Sequence, residues 1–345
     1  MKQFIGKIKP IYIFIFLFFV GIVVVFLFSR GLTNKNSTIP TPPLAASPSV
    51  SIPPPLFPAP VSSLKTYNLS FVPSEKKQEV SVLRYEHPRD LLTTAKNVAT
   101  WFLMGGEPVK TQLTEGALYV FSSGEKSLSV GLDPIVVSYR VYPKNNLSPL
   151  LFTDNEMVQL AENFIQKNNI LPRGTTLSSP TISYLSPKKS DPNHTSRDKA
   201  TTIRISYDIL FSGHIVTTKN LGEPGLSITI DSTKEIVGFT GLYFPALSSG
   251  GQTLSVVSPS EAVVRLQTGN GVLASVSSIE DINKEDPPRY VFSAISVAGV
   301  TLGYYYTSKQ PILAPVYLYK GEARDKKNRA VNTVSIVSAL PSPSP

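Results

Sequence analysis

Few side chains in this sequence have the type and spacing for chemistry. There are three histidines and no cysteine among 345 residues. His87 lies in Glu86-His87-Pro88, His194 in a polar stretch, and His214 after a hairpin glycine. Their separation gives no local metal-ligand pattern such as His-Glu-x-x-His. They read as solvated or turn histidines. Ser-x-x-Lys occurs at Ser74–Lys77, Ser123–Lys126 and Ser196–Lys199. In serine acyl-enzymes that spacing sets a lysine beside the nucleophile on a helix. Here none of the three opens an apolar helix, and no Lys-Thr-Gly or Ser-Asp-Asn accompanies them. The acidic run Glu280, Asp281, Glu285 and Asp286 lacks the alternating oxygen ligands of a calcium loop and reads as solvated. Gly269-x-Gly271 is a lone pair that cradles no phosphate. Paired carboxylates for glycoside cleavage, drawn from distant parts of the chain, stay open. The residues predict no catalytic group, no metal and no cofactor, so the expectation is a protein that is not an enzyme.

What stands out instead is aromatic. Tyr304-Tyr305-Tyr306 and Tyr317-Leu318-Tyr319 lie in two neighbouring strand-like stretches. Tyrosine offers large area with a polar tip and is enriched at interfaces. Tyr304, Tyr305, Tyr306, Tyr317 and Tyr319 are therefore the candidate partner surface. The alternative is that they cover a neighbouring helix.

Those tyrosines must be positioned by a body tethered to a membrane. Ile11–Phe28 holds no charge and no strongly polar side chain. As a helix it spans about 27 Å, enough to cross a hydrocarbon core. Lys2, Lys7 and Lys9 precede it, which predicts a cytoplasmic N-terminus and an extracytoplasmic body. The run is longer than a signal-peptide core, and Ser29-Arg30-Gly31 is a poor cleavage site, so the span is expected to stay as an anchor. Residues 29–63 follow as a proline-rich linker, extended and solvated. Absence of cysteine means an exported body held by its apolar core alone. The net charge of +9 is scattered, suiting anionic lipid or wall polymer. Nucleic acid is excluded by location and by the absence of any binding motif.

In the body, helices alternate with groups of strands. Asp90–Met104 places Leu91, Ala95, Val98, Ala99 and Phe102 on one face. Strands are predicted at Tyr67–Val72, Ala117–Phe121, Leu128–Leu132 and Ile135–Val141. Thr153 and Glu156 form a capping-box pattern before the helix Asp154–Lys167. Strands follow at Thr181–Leu185, Thr202–Leu210, Ile215–Thr218, Leu226–Ile230 and Ile236–Tyr243. Within Thr202–Leu210, the residues Ile203, Ile205, Tyr207 and Ile209 share one face, which predicts a strand with one wet side. Ser258, Pro259 and Glu261 open a third helix that Gly269 closes. Strands are then predicted at Tyr290–Val297, Val300–Thr307, Ile312–Tyr319 and Val331–Leu340. The predicted fold class is α+β: two to three modules, each one helix packed on an antiparallel sheet, at 64–150, 151–250 and 251–340, with a Pro/Ser tail at 341–345.

Two stretches carry a resemblance. ISYDILFSGHIVTTKNLGEPGLSITIDSTKEIVGFTGLYF (205–244) is a strand, a glycine-centred hairpin, and strands joined by a Thr-Lys-Glu-Ile-Val-Gly turn. GVTLGYYYTSKQPILAPVYLYKGEA (299–323) follows the third helix start. Both resemble PepSY-type modules, and most of all the YycH and YycI extracytoplasmic regulatory proteins of Gram-positive bacteria. The resemblance implies one N-terminal membrane helix, an outside body of helix-on-sheet modules, and binding to a membrane sensor kinase. It brings no catalytic residue. The long proline linker departs from that pattern. The expected function is a non-enzymatic, single-pass membrane protein presenting its body to an envelope or membrane partner. A wall- or polysaccharide-binding protein, and an anchored hydrolase, are the rivals.

Overall fold

The computed structural model describes residues 55, 57 and 66–341, apart from 114–115, 133–134, 143–147, 189–190, 219–223, 246, 278–291, 308–309 and 326–327. The expected anchor Ile11–Phe28, most of the linker and the acidic run lie outside the described residues. Among the described residues no helix is long and apolar enough to cross a membrane.

Three helices are described: α1 (Leu91–Thr100), α2 (Asp154–Lys167) and α3 (Pro259–Gln267). Strands dominate. The first six are β1 (Tyr67–Leu69), β2 (Gln78–Tyr85), β3 (Val109–Leu113), β4 (Gly116–Ser123), β5 (Lys126–Leu132) and β6 (Ile135–Val141). Then come β7 (Thr175–Leu177), β8 (Thr181–Lys188), β9 (Asp191–His194), β10 (Thr202–Tyr207), β11 (Ile209–Phe211) and β12 (His214–Thr217). The last seven are β13 (Leu226–Asp231), β14 (Ile236–Leu242), β15 (Leu247–Val256), β16 (Gly271–Ser277), β17 (Ile295–Tyr305), β18 (Ile312–Arg324) and β19 (Ala330–Ser338).

These strands form two sheets, and the expected α+β class is corrected to a mostly β architecture. The first sheet has nine strands in the order β3-β4-β5-β6-β14-β13-β10-β8-β9, all antiparallel. It spans two of the expected modules, because β6 pairs with β14 from Arg140↔Gly238 to Val136↔Leu242. The physical reason is the edge: an open sheet leaves two rows of unpaired backbone groups, and joining the four strands β3–β6 to the five strands β14, β13, β10, β8 and β9 removes one row from each. Helices α1 and α2 lie on the same face. Ala95, Val98, Ala99, Met157, Ala161 and Ile165 pack there against Leu128, Val137, Ile205 and Ile228. Phe102, just past α1, stacks on Tyr139 with ring centroids 4.1 Å apart. Both helix starts are closed as their residues demand. Asp90 accepts from Thr93 N at 3.0 Å, and Thr153 and Glu156 form a reciprocal capping box.

The second sheet has ten strands. Its main path is β15-β2-β18-β17-β12-β11-β7, with β1 beside β17 and β19-β16 beside β18. Helix α3 packs on β16 and β19. This sheet is not wholly antiparallel, since β1 and β12 both run parallel to β17. The expected strand Thr202–Leu210 is also corrected. It breaks at Asp208, so that β10 stays in the nine-stranded sheet while β11 and β12 enter the ten-stranded one. Ser178 fixes this corner. Its N–H donates to the Asp208 carbonyl at 3.0 Å and its Oγ accepts from the Asp208 N–H at 2.9 Å. Ser212 and Gly213, both at positive φ, then turn β11 into β12, as a two-residue hairpin requires. Ile52–Pro345 forms one compact unit.

The ten-stranded sheet is apolar on both faces. One face carries Tyr304, Tyr306, Tyr317 and Tyr319 with Tyr85, Phe244 and the α3 residues Ala262, Val263 and Leu266. The other carries Tyr305, Val316, Leu318, Val334 and Ile336. Phe57 packs on that second face, 5.9 Å from the Tyr305 ring. The end of the proline-rich stretch thus differs from a wholly solvated linker: Pro55 is buried and Phe57 half-buried.

Candidate interaction surface

The five candidate tyrosines are drawn together by β17 and β18, but not as a surface. Each is only 1 to 2% exposed. Their hydroxyls explain how they tolerate this. Tyr317 donates to the Val257 carbonyl at 2.8 Å and Tyr319 to the Pro259 carbonyl at 3.3 Å, both at the entrance of α3. Tyr304 donates to the Ser81 carbonyl of β2 at 2.9 Å. Tyr306 packs edge-on against Tyr85 and Phe244. A buried phenol is stable where its O–H finds a carbonyl and its ring fills the core. Burial pushes the hydroxyl of Tyr304, of Tyr305 and of Tyr317 up to about 12, and that of Tyr319 higher still. The assignment of Tyr304, Tyr305, Tyr306, Tyr317 and Tyr319 to a partner surface is therefore corrected: they are core, and Tyr317 and Tyr319 do cover the third helix.

The histidines are not assembled with one another. His87 is exposed and packs on Tyr85 with centroids 4.9 Å apart. His214 sits half-buried near Tyr304, and desolvation lowers its proton affinity against the opposing hydrogen bond to the Leu302 backbone. His194 falls in β9, at the far edge of the nine-stranded sheet. Of the Ser-x-x-Lys pairs, Ser123–Lys126 closes the β4–β5 hairpin, and Ser196–Lys199 spans a single 3-10 turn. Among the described residues no three carboxylates and histidines gather where a metal ion could bind.

A different element is open to a partner. Strand β3 ends the nine-stranded sheet and, among the described residues, pairs only with β4. All five of its residues are exposed. Its path is set locally. Leu103 and Gly106 at positive φ turn the chain out of α1, and Lys96 Nζ holds Glu107 Oε1 at 2.6 Å just before the strand. At the other end the Gln112 side-chain amide donates to the Gly116 carbonyl at 3.1 Å. Cross-strand partners Val109↔Val120 and Thr111↔Leu118 put Val109, Thr111 and Leu113 on the face away from the helices. Val109 is 68% and Leu113 49% exposed. The alternate groups of the β3 backbone face outward along this edge, unclaimed by β4. An unpaired edge beside uncovered apolar side chains is the receiving surface for an added strand. Sequence patterning leaves 105–116 without a strand; the alternation of Val109, Thr111 and Leu113 with Lys110 and Gln112 is the signal that would have found it. No family model matches the chain, and no curated protein matches it.

Proposed function

We propose that this protein is a non-enzymatic body, held at a membrane by Ile11–Phe28, that binds an envelope or membrane protein by accepting a strand along β3. The observation that carries the reading is the open β3 edge with Val109 and Leu113 uncovered beside it. A strand added there gains main-chain hydrogen bonds and removes apolar area from water, the two terms on which strand-addition interfaces rest. The likeness to PepSY-type modules and to YycH and YycI supports a regulatory role for that contact. The uncharged run 11–28 supports a membrane anchor, and Lys2, Lys7 and Lys9 before it support an N-terminus in the cytoplasm with the body facing outward.

The test is site-specific photocrosslinking in intact membranes of the source cells. A photoreactive residue at Thr111 should capture one membrane or envelope protein, and the same group at exposed Glu322 on the ten-stranded sheet should not. Replacing both Val109 and Leu113 by lysine should abolish capture while leaving the fold intact, since both side chains are solvent-facing. Equal labelling from Thr111 and Glu322, or capture that survives the double substitution, would sink the reading.

A further inference from the structure

The face of the nine-stranded sheet opposite the helices has an unusual composition. Register places Ser127, Arg140, Gly238, Thr229, Arg204 and Ser183 in one cross-strand row over β5, β6, β14, β13, β10 and β8. The adjoining row is Ser129, Ser138, Thr240, Ser227, Ser206 and Thr181. Two arginines thus stand on one sheet face among rows of hydroxyls. Three strand spacings separate their Cα atoms, about 14 Å, so two arginine side chains reaching inward can bring their guanidiniums together. Between them lie Gly238, which carries no side chain to block the approach, and Thr229, whose side chain is short. Any Cβ there would sit 3.1 Å from the Thr229 Cβ.

Neither arginine has an ion-pair or hydrogen-bond partner among the described residues. The one carboxylate whose strand position falls on this face is Asp231, at the end of β13. Its Oδ1 is taken by Thr233 N, Thr233 Oγ1 and Glu235 N within its own turn. Burial first, and then the charge of Arg140, lower the proton affinity of Arg204. An arginine nevertheless stays charged at physiological pH. Two like charges on one sheet face with no carboxylate paired to them leave an unmatched positive potential there.

We propose that Arg140 and Arg204 are the anion-binding pair of a glycan site, in which an acidic polysaccharide lies across the strands with its anionic groups on the guanidiniums and its hydroxyls on the serine and threonine rows. Charge complementarity selects the anion, because each guanidinium presents a planar fork that fits a carboxylate or phosphate bidentately. The hydroxyl rows select a polymer rich in hydroxyls, for each serine or threonine both donates and accepts. The rows run across six strands, which suits an extended chain lying along them. The site is on a sheet face, separate from the β3 edge.

The test is a titration of the full-length chain in neutral detergent micelles, at fixed ionic strength, with alginate (a uronate polymer), a poly(glycerol phosphate) polymer and neutral dextran. The expected result is saturable binding of one or both acidic polymers and none of dextran. Which acidic polymer binds tells carboxylate from phosphate. Arg204→Gln and Arg140→Gln should each weaken binding about tenfold, and the double substitution should abolish it. Arg84→Gln, on the other sheet, should leave it unchanged. Thermal unfolding keeps failure to fold from being mistaken for support: the ligand-free Arg204→Gln protein should melt no lower than wild type, because the substitution removes no ion pair or hydrogen bond among the described residues. Failure of both acidic polymers to bind, equal losses with Arg84→Gln, or binding only to vesicles of anionic lipid would overturn the proposal.

Discussion

Strand β10 of the nine-stranded sheet is buried at every second residue, whereas β18 of the ten-stranded sheet is buried without a break from Leu313 to Tyr319. The two strands differ in pattern as in surroundings: β10 alternates Ile203, Ile205 and Tyr207 with Thr202, Arg204 and Ser206, whereas Leu313–Tyr319 of β18 holds no charged or strongly polar residue. β10 carries helices on one face only, so Ile203, Ile205 and Tyr207 are core and Thr202, Arg204 and Ser206 meet water. β18 is buried on both faces, with Tyr317 and Tyr319 turned toward α3 and Val316 and Leu318 turned toward the opposite face, where Phe57 packs. Alternation along a strand therefore reports how many faces are covered.

Adjacent substitutions in each strand should break this comparison most sharply. Tyr317→Ala removes a ring from one core and a hydrogen bond to Val257, and should cost about 3–5 kcal/mol. Leu318→Ala, one residue on and on the opposite face, should still cost about 2–5 kcal/mol. In β10 the same pair of experiments should split. Ile205→Ala should cost about 2–5 kcal/mol. Ser206→Ala, which loses only a 2.8 Å contact with Ser227 Oγ, should cost at most about 1 kcal/mol. Urea unfolding of the four variants measures this. A Leu318 variant as mild as the Ser206 variant would mean that the second face of the ten-stranded sheet is not a true core.

The difference between the sheets also marks how far the sequence could be read. In the nine-stranded half, local signals agree with one another. The capping residues Thr153 and Glu156 cap, Ala95 and Val98 face inward, and Ile203 and Ile205 alternate with polar neighbours. In the ten-stranded half the decisive facts are remote in the chain. Strands β2 and β15 pair with each other across the whole nine-stranded sheet in sequence, and nothing in either announces its partner. The tyrosines of β17 and β18 are equally compatible with a surface and a core. What decides between them is the set of carbonyls at Ser81, Val257 and Pro259, which a sequence does not place. The arginine row was hidden for the same reason. Arg140 and Arg204 lie in different predicted modules, and only the β6–β14 pairing puts them on one face.

The corner where the chain passes from one sheet to the other should respond on a smaller scale. Ser178 ties β10 to β11 through both its backbone N–H and its Oγ, and the alanine variant keeps only the first of these bonds. Ser178→Ala should cost about 1 kcal/mol, with the Asp208 N–H left to water. Its more telling effect should be on cooperativity. Hydrogen exchange in Ile209–Thr217 should become faster relative to Thr202–Tyr207, since the hairpin is then held only by the ten-stranded sheet. Uniform acceleration across both segments would show that the corner is not a separable joint.

The smallest expected effect distinguishes the helices. In α2 the Glu156 carboxylate accepts from Thr153 N and Thr153 Oγ1, each at 2.9 Å. In α3 the corresponding Glu261 turns instead to Arg265 at 2.8 Å. The bonds from Thr153, aided by Lys234, hold Glu156 below its ordinary value of 4.5. A carboxyl with a lower pKa folded than unfolded stabilises the fold fully above the unfolded value, and that stabilisation disappears as pH falls through the folded one. Glu156→Gln should therefore lower stability slightly at neutral pH and reduce its loss below about pH 4.5. Trp101 is the single tryptophan and packs on Tyr243 beside the core that α2 shares, so its fluorescence reports this half of the molecule. If acid unfolding seen by Trp101 is the same in the Glu156→Gln variant as in the wild-type protein, the capping box contributes through its neutral hydrogen bonds alone, and the charge of Glu156 gives α2 no pH-dependent advantage.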